Sequence, residues 1–234
     1  MITIYKRELK SFFITSTGYV FLFSFTVLTG LLFYFGNILT RYSDLSSLYA
    51  MTAYIWILLI PMLTMRLITE EKKNGTNLLL ASAPISDEQI VGAKYLAALS
   101  LLIIALMFGS IYPLTVAVFG PLYLPEALTG LLGVLLYGAA LIAVDMFVSS
   151  FAKNAASAFA LSLIANLFLR FAGLFANSIK FAPLSYIVSL LDTEMRFNPF
   201  LYGQLSFASV LYFILFIFVN MVFTYMAVKN GSRD

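Results

Sequence analysis

Asp145 and Arg170 are the residues whose types and settings first invite chemistry. Asp145 lies within LIAVDMFVSS and Arg170 within NLFLRFAG, two runs with no other charge. An ionisable side chain at the centre of an apolar helix costs roughly 2.5–3.5 kcal/mol on insertion scales, so it usually faces a cavity or a partner. A direct pair is not expected. If the two runs are helices antiparallel about a turn near Lys153, Asp145 stands about eight residues from the turn and Arg170 about seventeen. At ~1.5 Å per residue the two are offset by roughly 13 Å. The spacing therefore predicts Asp145 in an inward polar position and Arg170 snorkelling outward. Asp145 either makes a structural hydrogen bond within a bundle or lines a polar path. Tyr137, Asn166 and Asn220 are candidates for hydrogen bonds between helices.

These groups do not compose an enzyme. The chain has no cysteine and no histidine. That removes thiolate metal sites, disulfides and the commonest general base. Asp145 alone makes no aspartyl dyad, and no Ser-His pair is possible. No catalytic residue and no metal site is assigned. Nothing resembles G-x-x-x-x-G-K-[ST], so any ATP would be bound by a separate chain.

The elements that hold these residues are membrane spans. The chain has 234 residues, 62% hydrophobic and 11% charged, with mean hydropathy +0.96. Soluble domains carry about 25% charge. A span needs about 20 apolar residues, and six windows qualify: roughly 18–39, 48–65, 95–119, 128–150, 155–175 and 207–228. The first run is too long for a signal-peptide core and lacks a small-residue cleavage site. Basic residues set orientation. With both termini inside, Lys6, Arg7, Lys10, Arg66, Lys72, Lys73, Lys94, Lys153, Lys229 and Arg233 fall inside. Only Arg41, Arg170, Lys180 and Arg196 fall outside. The expected fold is an all-α polytopic membrane protein, a single transmembrane domain over 1–234 with six spans.

Three segments stand apart from the spans. Residues 1–16 form a basic amphipathic helix with Ile2, Tyr5, Leu9, Phe12 and Phe13 on one face, suited to lying in the membrane interface. Residues 176–206 hold short apolar pieces interrupted by Pro183 and Pro199. They read as one or two short helices dipping back into the outer leaflet, or as an ordinary external loop. Residues 66–94 hold 8 of the 25 charged residues between two uncharged runs. Glu70 is at helical spacing from Arg66 and near Lys73. Asn74-Gly75 stops that helix. Thr76 to Ser82 make a short apolar helix ended by Pro84, and Ser86-Asp87-Glu88-Gln89 is a capping box for the next helix. Leu78, Leu79 and Leu80 are too few to cross lipid and need a partner surface, either the protein's own bundle or another protein.

EEKKNGT followed by LLLASAPISDEQIVGAKYLA resembles the cytoplasmic loop of type-2 ABC exporter permeases. The resemblance covers Glu70 to Ala97, and SSFAKNAASAF (Ser149–Phe159) is similar to the same family's tight turn between spans four and five. The six spans, interfacial helix and outer segment fit that family over nearly the whole chain. The similarity is strongest to permeases of the gliding-motility and nitrous-oxide-reductase-maturation types. One departure is Leu78, where family members often carry Glu.

The resemblance implies a half-transporter. A second permease subunit, identical or different, would pair with it in the membrane. Separate ABC ATPase subunits would take residues 76–82 as a coupling helix. Glu70, Glu71, Gly75, Thr76, Leu79, Ser82 and Pro84 are the docking candidates, with Leu79 as the anchor. Asp145 and Asn166 are candidates for the translocation path. The partners are then ATPase, second permease and membrane lipid, with no nucleic acid. A non-catalytic membrane anchor or assembly factor is the alternative, as is a secondary transporter, although no internal repeat of the kind common there is evident.

Overall fold

The computed structural model describes residues 1–74 and 87–231, and every element in them is helical. In chain order these are α1 (Ile2–Ile14), α2 (Thr17–Phe33), α3 (Ser46–Asn74), α4 (Asp87–Gly109) and α5 (Ile111–Phe119). They continue with α6 (Leu124–Ser149), α7 (Ala155–Arg170), α8 (Ala172–Ser178), α9 (Ala182–Leu190), α10 (Thr193–Leu201) and α11 (Phe207–Gly231). One π-helical turn, Tyr34–Ile38, extends α2. Among the described residues five stretches are long and apolar enough to cross a membrane: Thr17–Ile38, Ser46–Thr69, Glu88–Phe119, Leu124–Ser149 and Phe207–Lys229. The protein is an all-α polytopic membrane protein.

The fifth span departs from the expected continuous window over 155–175. Its helix ends at Arg170, and α8 leaves at 62° to α7. No proline marks the break. Gly173 instead lies hard against the start of α10: a Cβ there would sit 2.2 Å from Asp192 Oδ2. Asp192 caps α10 by accepting from the Met195 amide at 3.1 Å. Within 176–206 there are two short helices, α9 and α10, as the sequence suggests, but the chain turns aside earlier, at Phe171. α9 buries none of its residues, whereas α10 buries Thr193, Phe197, Phe200 and Leu201.

α6 is the hub, packed by α3, α4, α7, α10 and α11. Small residues let its neighbours approach closely. A Cβ at Gly130 would meet the Tyr49 ring at 2.3 Å, and one at Gly133 would meet Phe200 Cβ at 2.6 Å. Beside Gly138 lie Leu102 and Trp56. Trp56 is buried and stacks on Phe25 at 4.6 Å between ring centroids. The turn from α6 to α7 is closed by a reciprocal cap. Asn154 Oδ1 accepts from the Ser157 amide at 2.8 Å, and Ser157 Oγ accepts from the Asn154 amide at 3.2 Å.

α1 forms over the expected residues, but its buried side is different. Ile4 and Phe12 are the buried residues, with Tyr5, Leu9 and Phe13 packed partly beneath, while Ile2 is exposed. The reason is the partner: Ile4 meets Ile90 and Ala93 of α4, so this face is set by a helix rather than by amphipathicity alone. The Tyr5 hydroxyl lies 2.8 Å from Ser100 Oγ, a further tie to α4. A groove between α4 and α11 is lined by Glu88, Val91, Gly92, Phe218 and Tyr225. The start of α1, the end of α11 and the start of α4 thus share one end of the bundle. At the other end Gly203, at φ +75°, packs by Tyr123, Pro125 and Glu126.

Candidate functional site

Two polar clusters are built into this frame. The first is centred on Asp145, one turn before the end of α6. Its neighbours are supplied at helical spacing: Asp145 and Ser149 on α6, Ser162 and Asn166 on α7, each pair one turn apart on a common face. α3 contributes Thr64, three residues after Pro61, which has no N–H to continue the backbone ladder. All five side chains are fully buried. Thr64 Oγ1 stands 3.2 Å from Asp145 Oδ2 and 3.0 Å from the Ile60 carbonyl oxygen, so its single proton serves one acceptor at a time. Ser162 and Asn166 flank the carboxyl. Neither meets it with hydrogen-bond geometry, and Asp145 Oδ1, Ser149 Oγ, Ser162 Oγ and both Asn166 side-chain atoms have no partner. Buried polar atoms in native proteins are nearly always satisfied, so this concentration is unusual.

Arg170 is placed differently from expectation. It does not snorkel outward; it is 3% exposed. Its Nη2 lies 3.1 Å from Glu194 of α10, and its guanidinium sits 4.5 Å from the centroid of the Tyr54 ring. The protein's own α10 supplies the carboxylate that holds the guanidinium inside the bundle. The inference that Arg170 does not pair directly with Asp145 agrees with this geometry. Of the three candidates for interhelical hydrogen bonds, Asn220 differs from expectation: it donates to Phe216 O of its own helix at 2.8 Å. The Tyr137 hydroxyl faces Thr193 of α10 and the Asn166 amide faces Asp145 of α6, in each case short of full hydrogen-bond geometry. Tyr137 is held instead by its ring, 5.3 Å from Phe197.

The second cluster sits where α1, α3 and α4 meet. Lys94 is buried, and its ammonium donates to the Leu67 carbonyl of α3. It also lies 4.0 Å from Glu8 Oε1 of α1, which in turn accepts from Arg7 at 2.7 Å. One cation therefore joins the helix that enters the 66–94 segment, the helix that leaves it, and the N-terminal helix. α4 begins at Asp87, where the capping box places its start. Gly75, Thr76, Leu79, Ser82, Pro84 and Ser86, the expected N-cap, lie outside the described residues, as do the side chains of Glu70 and Glu71.

At the opposite end Asp44 and Glu126 meet over the start of α3. Glu126 Oε1 accepts from the Leu45 amide at 2.8 Å. Burial works to raise the Asp44 carboxyl. Hydrogen bonds from the Ser46 amide, with Glu126 and from the Ser46 hydroxyl outweigh it and hold Asp44 below the ordinary value. This arrangement fixes a loop.

Sequence reasoning missed Thr64, Ser162, Ser149, Glu8 and Glu194. A signal existed for the first cluster: Ser162 is about as far beyond the turn at Lys153 as Asp145 is before it. No pattern links Arg170 to Glu194, or Lys94 to Glu8.

Among curated proteins, none matches the chain. The family model described as "ABC-2 family transporter protein" matches residues 8–229, nearly the whole chain and every helix that could cross a membrane. The chain therefore belongs to the ABC-2 transporter family and is the membrane-spanning permease part of an ABC transporter.

Proposed function

We propose that the chain is one half of an ATP-driven exporter, of a type resembling the gliding-motility and nitrous-oxide-reductase-maturation permeases. Two permease subunits, identical or different, form the translocation path. Separate ATPase subunits bind ATP and dock on the 66–94 segment through Leu79, with Glu70, Glu71, Gly75, Thr76, Ser82 and Pro84 around it. The termini and this segment face the cytoplasm, in keeping with the distribution of Lys and Arg. α1 lies at the lipid interface, and α8–α10 occupy the outer side. A path role for Asp145 and Asn166 would belong to a state in which α3 and α7 part, because both residues are enclosed here.

The observation that carries the coupling reading is the Lys94 junction. A loop that transmits force must be anchored at both flanks, and Lys94 binds the α3 flank and the α4 flank to each other and to α1. The test is Leu79→Asp. A buried leucine contributes roughly 1.5–3 kcal/mol, and an interfacial anchor of this kind behaves as a hot spot. The variant permease is expected to insert and fold normally, to lose the ATPase in pull-down, and to lose transport. Full ATPase binding and transport by Leu79→Asp would leave 76–82 a self-packed loop. The coupling role of the segment would then fall.

A further inference from the structure

We infer that the Asp145 cluster is a binding site for a monovalent cation of about sodium's size, enclosed between α3, α6 and α7. The reading concerns this chain alone and does not depend on ATPase docking.

The donor set is the argument. Asp145 Oδ1, Ser162 Oγ, Asn166 Oδ1 and Ser149 Oγ are oxygens without a hydrogen-bond partner, on side chains that are fully buried. Ser162, Asn166 and Thr64 all border the one carboxyl. These are hard oxygen ligands, suited to ions such as sodium rather than to soft metals. An unpaired carboxylate in a bundle interior is costly, as is each unsatisfied amide or hydroxyl. Among the described residues no basic side chain pairs with it. Arg170, one turn beyond Asn166 on α7, is taken up by Glu194 and Tyr54. One positive charge among these oxygens would neutralise the carboxylate and satisfy the orphaned acceptors together. A divalent ion would leave a net buried charge. The helices are held at this level by three separate elements, so an ion here would tie α3 to α6 and α7.

The chain's only tryptophan, Trp56, lies in α3 two helical turns before Thr64 and gives a built-in reporter of unfolding. Thermal unfolding of the purified permease is followed by its fluorescence in NaCl and in choline chloride at equal ionic strength, at two pH values. A saturable rise in Tm with Na+ that is absent in Asp145→Asn is the expected result. Ser162→Ala removes one donor while leaving the charge in place, and should raise the half-saturating Na+ about tenfold. It also serves if the Asp145→Asn protein does not fold. Equal Tm in Na+ and choline overturns the proposal, as does an undiminished Na+ effect in Asp145→Asn. A Tm that follows pH and ignores Na+ also overturns it, and would assign a protonated carboxyl instead.

Discussion

Lys94→Met is expected to destabilise the permease by about 3 kcal/mol, roughly a hundredfold in the folding equilibrium. Methionine keeps the stem and its packing but removes the charge. The Leu67 carbonyl then loses its donor, and Glu8 loses its buried partner. Breaking a buried pair by removing one partner usually costs about 3–5 kcal/mol. The lower end applies because Arg7 still holds Glu8 at 2.7 Å and is half-exposed. Glu8→Gln in the same protein should restore part of the loss, since it removes the carboxylate left on the inner side without Lys94. Chemical denaturation of the single and double variants measures this. Additive losses, with no recovery in the double variant, would show that Lys94 and Glu8 are not coupled.

Gly130→Val is expected to leave no folded permease in the membrane fraction. Any Cβ at 130 would lie 2.3 Å from the Tyr49 ring, and that ring is fixed by burial and by a hydroxyl bond to the Ala127 carbonyl at 3.1 Å. Overpacking a well-filled core costs about 1–3 kcal/mol and sometimes more. A glycine-to-alanine change inside a helix recovers about 1 kcal/mol through backbone entropy. Gly130→Ala is therefore the milder variant, with a lowered Tm, and valine adds branched atoms to the clash. The contact is isolated by placing Gly130→Ala in a Tyr49→Ala background, where its cost should vanish and its helix-forming gain should show. A cost that persists without the ring would mean that some other contact excludes a side chain at 130.

The spans were legible because lipid imposes one rule on every residue in a window. Uncharged runs such as 11–40 need no knowledge of neighbours. What lay beyond that rule depended on partners remote in sequence. The break at Phe171 follows from Gly173 packing against Asp192, and neither residue signals a bend by itself. Arg170 was read as reaching for the lipid surface because Glu194 lies 24 positions away on a helix of unknown placement. In α1, periodicity identified the helix but chose Ile2 over Ile4, since the deciding surface belongs to Ile90 and Ala93. The Asp145 cluster was half legible: the acidic residue and Asn166 stood out as polar in apolar runs, while serine and threonine are too common in membrane helices to do so. The docking residues from Gly75 to Pro84 rest on motif and resemblance, and the structure adds only what anchors their flanks.

The central claim is that an ATPase grips this permease through residues 76–82. The most direct measurement is site-specific photo-crosslinking in membranes containing both proteins, with the crosslinker at position 79 and a control at position 186. Tyr186 is exposed on α9, among the helices assigned to the outer side. A crosslinked permease–ATPase adduct from position 79 and none from position 186 is the predicted result. No adduct from 79, or equal adducts from both positions, would contradict the account.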